Sequence, residues 1–159
     1  KQMHEKLYAA KLPGKPALPV AARNKVPVRY TTTKPADDWI KPRFDDSGWK
    51  QGAAGLGLPG TKNANIKTVW NTPQVWIRTS FDYDPGKGNL LLNIFWDENP
   101  TIYINGVVAA KLDGYTTQYE LKEISNAAQA SLKKGKNTLA IHCQNALGGQ
   151  YIDASLVYE

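Results

Sequence analysis

From Val28 onward the chain is a succession of short apolar or alternating segments, each ended by a turn signal. Val28–Thr33 is β-branched and stops at Lys34-Pro35, and Pro73–Asp82 stops at Asp84-Pro85-Gly86. Asn89–Asp97 follows, then Thr101–Ile104, which meets Asn105-Gly106 and resumes as Val107–Ala110. Asn137–Asn145 and Gln150–Tyr158 are separated by Ala146-Leu147-Gly148-Gly149. An Asn-Gly pair between two such runs predicts a tight hairpin, because a type I′ turn needs positive φ at both central residues. Only Ile124–Leu132 reads as helical, with Ser125 or Asn126 as cap and Gly135 as stop. Many short strands and at most one short helix predict an all-β sandwich or barrel rather than βαβ units.

Strand parity assigns faces. In Asn137–Asn145, Leu139, Ile141 and Cys143 share one face, while Thr138, Ala140, His142 and Gln144 share the other. In the last strand Ile152, Ala154 and Leu156 oppose Tyr151, Asp153 and Ser155. One apolar and one mixed face per strand is what two packed antiparallel sheets require.

The 159 residues suit one domain with one core, and 42% hydrophobic content argues against wholesale disorder. No apolar run is long enough to span a membrane as a helix. The first 27 residues differ from the rest. Pro13, Pro16, Pro19 and Pro27 interrupt them, which predicts an extended lead-in or linker over 1–27, with a short helical turn near Glu5–Ala10, and a folded body over 28–159. The chain starts at Lys1 without an apolar signal stretch, and is expected to be the excised part of a longer protein. Charge divides the same way. The +6 of the whole chain sits in residues 1–29, where seven basic residues face Glu5 alone; the remainder holds 13 basic and 13 acidic residues. A neutral body lacks the cation cluster that displaces phosphate counterions, so no nucleic-acid partner is expected.

Four blocks in order then resemble a known group. They are Asp38-Trp39 with Phe44–Trp49 and Ala54–Gly57; Val69-Trp70 with Val75–Phe81; Trp96-Asp97-Glu98 with Ile102–Gly106; and Gly135–Asn145 continuing through Gly149–Asp153. Together they resemble the galactose-binding-domain-like jelly roll, as in the sugar-binding domain of family 2 glycoside hydrolases and related carbohydrate-binding modules. The resemblance implies a jelly-roll β-sandwich of two antiparallel sheets over residues 28–159. It also implies an accessory domain of a larger bacterial, extracytoplasmic glycan-degrading protein. The expected partners are a glycan (poly- or oligosaccharide) and the catalytic domain of the same parent chain. A structural calcium is common in such modules, and Asp37, Asp38, Asp45, Asp46 and Asp153 could supply oxygen ligands, although their spacing is not diagnostic.

Residue chemistry argues against catalysis within this chain. Cys143 is the only cysteine, so no intrachain disulfide forms. Its neighbour His142 points to the opposite side of a strand, which forbids a thiolate–imidazole dyad. Cys143 shares parity with Leu139 and Ile141 and reads as a core residue. No Gly-x-Ser-x-Gly elbow presents a serine. Asp37-Asp38, Asp45-Asp46 and Asp97-Glu98 sit beside turn chemistry, where aspartate usually caps, and none pairs an acid with a nucleophile.

Sugar recognition needs exposed rings and hydrogen-bonding edges. Trp49, Trp76 and Trp39 fit packing roles. Trp70 and Tyr115 lie in loops and are the expected stacking residues, with Asn145, Gln150 and Tyr151 around the Gly148-Gly149 turn as hydrogen-bonding partners. The expected function is therefore non-catalytic carbohydrate binding. The rivals are a structural module packed on a catalytic neighbour without binding sugar, and a small hydrolase.

Overall fold

The computed structural model describes residues 16–159. The helical turn expected near Glu5–Ala10, and the rest of the lead-in through Lys15, lie outside the described residues. In order the chain forms β1 (Pro16–Leu18), β2 (Pro27–Thr31), β3 (Lys50–Ala53), β4 (Leu56–Gly57), β5 (Thr68–Val69) and β6 (Gln74–Tyr83). Then come β7 (Leu90–Asp97), β8 (Thr101–Ile104), β9 (Val107–Lys111), β10 (Glu120–Glu123), α1 (Asn126–Ser131), β11 (Gly135–Gln144) and β12 (Tyr151–Tyr158). The first sheet runs β10-β7-β12-β4-β5, with β1 also on β12; the second runs β3-β2-β6-β11-β8-β9. All pairings are antiparallel except β4 with β5. Among the described residues the fold is a β-sandwich with one short α-helix, as the strand pattern predicts.

The core lies between the sheets and follows the parity argument. Leu139, Ile141 and Cys143 of β11 meet Ile152, Ala154 and Leu156 of β12, with Val75, Ile77 and Phe81 of β6 and Leu92, Ile94 and Trp96 of β7. Each such side chain contributes about 1.5–3 kcal/mol through burial. The expected hairpin joins β8 to β9, with φ of 53° at Asn105 and 84° at Gly106. The Asn105 side chain also accepts from Thr138 N–H and donates to Asn137 Oδ1 (both 2.9 Å), so the turn is fixed to β11. Ser125 caps α1 by accepting from Ala128 N–H at 3.1 Å.

The outer faces hold what parity alone does not show. On the second sheet, Trp39 and Trp76 pack with Ala140, Phe44, Trp49 and Tyr103, which bears out their packing role. Residues 37–49 cover this face and are held by Arg78 of β6, which is 5% exposed. Its guanidinium pairs with Asp46 at 2.8 Å and donates to the carbonyls of Trp39, Lys41 and Phe44. A buried guanidinium is tolerated because its donors are occupied in this way.

On the first sheet, β12 differs from the expected half-mixed strand, since residues 151–157 are buried on both faces. The reason is the segment before β2. Pro16 and Leu18 pair with β12, Ala21 is fully buried, and Ala21 N–H donates to Asp153 Oδ2 at 3.0 Å. Tyr119 donates to the same oxygen from the other side. The linker expected over 1–27 is thus corrected for its described part: residues 16–27 belong to the folded unit, and the body does not start at Val28. Prolines removed donors from this segment without excluding it from an edge pairing.

A chain beginning at Val28 is therefore expected to lose on the order of 3 kcal/mol or more relative to one beginning at Pro16. It uncovers Leu18 and Val26 sites and leaves Asp153 without its amide partner. Denaturant melts of the two chains measure this; equal midpoints would show that residues 16–27 do not support the sandwich.

Candidate functional site

Five loops meet at one end of the sandwich: residues 58–65, 70–73, 97–100, 112–119 and 144–150. Their anchor is Glu98. Its backbone exchanges two hydrogen bonds with Gln144 (2.9 and 3.1 Å), joining the end of β7 to the end of β11. Its side chain accepts from the N–H groups of Ala146 and Leu147 at 3.1 and 3.2 Å, which fixes the loop before β12. The Asp97–Glu98 peptide is cis. Opposite, Asn99 Oδ1 accepts from Gly114 N–H at 2.6 Å, Trp96 Nε1 donates to the Asp113 carbonyl at 3.2 Å, and Thr116 N–H donates to the Trp96 carbonyl at 2.7 Å, so the chain is held on both sides of Tyr115.

The five expected site residues fall into two groups. Tyr115 is 65% exposed and bridges to Asp97 through the backbone, so its ring is a free platform on an anchored loop. Asn145 is half-buried, and its Oδ1 is buried without a hydrogen-bond partner. Trp70, Gln150 and Tyr151 are instead buried, with Trp70 only 1% exposed. Trp70 belongs to the core between the sheets, its N–H reaching the Gly57 carbonyl at 2.8 Å and its indole Nε1 donating to Thr72 Oγ1 at 3.1 Å. Gln150 Nε2 donates to the Thr72 carbonyl, and the Tyr151 hydroxyl donates to the Asn65 carbonyl. These three set the loops in place rather than facing solvent, and the expectation of Trp70 as an exposed stacking ring is corrected accordingly. A tryptophan that follows a polar loop looks exposed in sequence; the pairing of β5 with β4 is what draws it inward.

Asp97 is the residue that sequence reasoning assigned to turn chemistry. It ends β7 on the outer face of the first sheet, is 8% exposed, and its carboxylate has no hydrogen bond among the described residues. Burial, with the charge of Glu98 beside it, pushes its carboxyl up to about 6. The carboxylate lies against the Gly148-Gly149 turn, and a Cβ at Gly149 would stand 2.8 Å from Asp97 Oδ2. The glycine is thus set by close approach, a signal that Gly148-Gly149 carried in the sequence without naming its neighbour.

Other chemistry is not assembled among the described residues. Cys143 is in the core, where burial pushes its thiol up, while His142 stacks on Trp76 on the opposite face at 4.8 Å. Asp46 is committed to Arg78, Asp45 accepts from Ser47 N–H, and Asp153 lies on the other sheet. No group of three or more His, Cys, Asp or Glu converges among the described residues. No described helix is long and apolar enough to cross a membrane.

No protein-family model matches the sequence, and no curated protein does. Solved structures do resemble the fold. A glycosyl hydrolase family 2 member from Bacteroides cellulosilyticus superposes with a TM-score of 0.58 at 17% identity, over 83% of this chain and 20% of that one. A β-glucuronidase from Bacteroides uniformis gives 0.57 at 22% identity, over 83% and 17%. A β-glycosidase from Bacteroides vulgatus gives 0.54 at 15% identity, over 85% and 20%. The chain spans about one fifth of the length of these structures, and at such identities the likeness is one of fold.

Two outcomes follow for the loop end. Trp70→Ala is expected to cost about 3–5 kcal/mol of stability, and Tyr115→Ala less than about 0.5 kcal/mol; thermal melts that reverse this order would contradict the assignment. Between its ordinary value of 3.8 and about 6, the folded Asp97 carboxyl keeps a proton that the unfolded chain has released. It therefore makes stability fall as pH rises through that window and adds no slope above it. Asp97→Asn is expected to remove that part of the slope, read as the difference between variant and parent in denaturant midpoints across the same pH range.

Proposed function

We propose that this chain is a non-catalytic, galactose-binding-like jelly-roll accessory domain of a larger bacterial glycoside hydrolase-like protein, and that it binds glycan at the loop end. The observation that carries the reading is the match to about one fifth of family 2 glycosyl hydrolase chains, which leaves the bulk of such proteins to other domains. The loop end supports the sugar itself. Tyr115 offers an exposed ring on a fixed loop bridged to Asp97, and in the same set of loops Asn145 Oδ1 is buried without a partner. The parent protein acts outside the cytoplasm in this reading, where its polymeric substrate lies, and the catalytic groups belong to the neighbouring domain.

A second reading has support from one observation. Leu147 is 86% exposed and Leu58 36% exposed, both in the same set of loops, so this end could pack on the catalytic neighbour without holding sugar.

A glycan array probed with the chain separates the two. Binding that weakens with Tyr115→Ala, without loss of fold, is the expected result. Silence across the array would favour the packing module, and cleavage of a bound glycan would restore the hydrolase alternative.

A further inference from the structure

We infer that the loop end selects a neutral, hydroxyl-rich sugar and turns away uronic acids and sulfated sugars, with the Asp97 carboxylate as the selecting group. The inference rests on the glycan reading above and adds the class of sugar.

Several donors of the loop end are committed to partners within it. Gln150 Nε2 is committed to the Thr72 carbonyl, and the N–H groups of Ala146 and Leu147 are committed to Glu98. Gly114 N–H is taken by Asn99, and the Thr61 hydroxyl donates to the Leu58 carbonyl while accepting from Gln150 N–H. Asn145 Oδ1 is buried without a partner, and Asp97, 8% exposed as a residue, has no side-chain hydrogen bond among the described residues. A buried acceptor such as Asn145 Oδ1 is normally satisfied. The raised carboxyl of Asp97 agrees with a carboxylate that no donor stabilises.

A sugar hydroxyl supplies the missing hydrogen, and a hydrogen bond to a charged acceptor is among the stronger ones. A carboxylate or sulfate on the sugar would instead face Asp97. Glu98 and Asp113 lie on the same loops, against Lys62 as the one cation in the segments 58–65, 70–73, 97–100, 112–119 and 144–150. Tyr115 is indifferent to this distinction, because its ring meets the apolar face of either sugar. Stacking then provides affinity, and Asp97 provides discrimination.

The test uses matched pairs, the methyl β-glycosides of glucose, galactose and mannose and their C6-oxidised uronides, titrated into the isotopically labelled chain and followed by amide shifts. At least one neutral glycoside is expected to move the amides of Glu98, Tyr115 and Gly149, with its uronide at least about tenfold weaker. Asp97→Asn, nearly equal in volume, is expected to weaken the neutral member and narrow the gap between the pair. Tyr115→Ala is expected to weaken both members alike. A uronide that binds as well as its neutral partner, or an unchanged ratio in Asp97→Asn, overturns the inference while the glycan reading stands. Silence from every glycoside overturns both.

Discussion

Glu98 performs two tasks at once, and the loop end depends on both. Its backbone pairs with Gln144 across the end of the sandwich, so β7 of one sheet and β11 of the other are tied where their strands finish. Its carboxylate then gathers the N–H groups of Ala146 and Leu147. Without the first contact the two sheets could splay at this end; without the second, the turn that presses Gly149 against Asp97 would have no fixed position. The Cys143 thiol adds a contact to the Glu98 carbonyl from inside the core, at 3.2 Å. A site on loops is accurate only when its supports are rigid, and here the supports are the ends of central strands.

The outer faces are closed by one buried charged residue on each side, used in opposite ways. Arg78 on the second sheet carries donors and collects carbonyls and a carboxylate from residues 37–49. Asp153 on the first sheet is an acceptor and collects Ala21 N–H and the Tyr119 hydroxyl. Both are costly to bury alone, so each makes the segment above it part of the fold. The difference is that all three Arg78 nitrogens are engaged, whereas Asp153 keeps one oxygen without a partner, and its carboxyl is raised by burial.

Much of the frame is legible in the sequence because it depends on local chemistry. Asn105-Gly106 announces its hairpin through positive φ, Ser125 announces its cap, and the alternation in β11 places Leu139, Ile141 and Cys143 in the core. What escapes is set by partners far away in the chain. The two-residue strands β4 and β5 are too short to leave a period, and their pairing decides that Trp70 is core rather than platform. Residues 16–27 look like linker because proline and charge dominate them, yet one N–H at Ala21 and the apolar Leu18 and Val26 suffice to seat them on β12. Asp97 reads as a turn residue until Gly149, distant in sequence, is seen against it. The exposure of Tyr115 is legible from its loop.

The central claim is that the loop end, and no sheet face, is where this domain meets a sugar. A crystal structure of the chain with a bound oligosaccharide tests it most directly. The account predicts a sugar ring against Tyr115, with hydroxyls within hydrogen-bond distance of Asp97 and Asn145 Oδ1 and the backbone of residues 97–100 and 144–150 unmoved. A sugar seated instead in the open groove beside Arg29, Lys67 and Lys136, or on the His142 face of the second sheet, would contradict it.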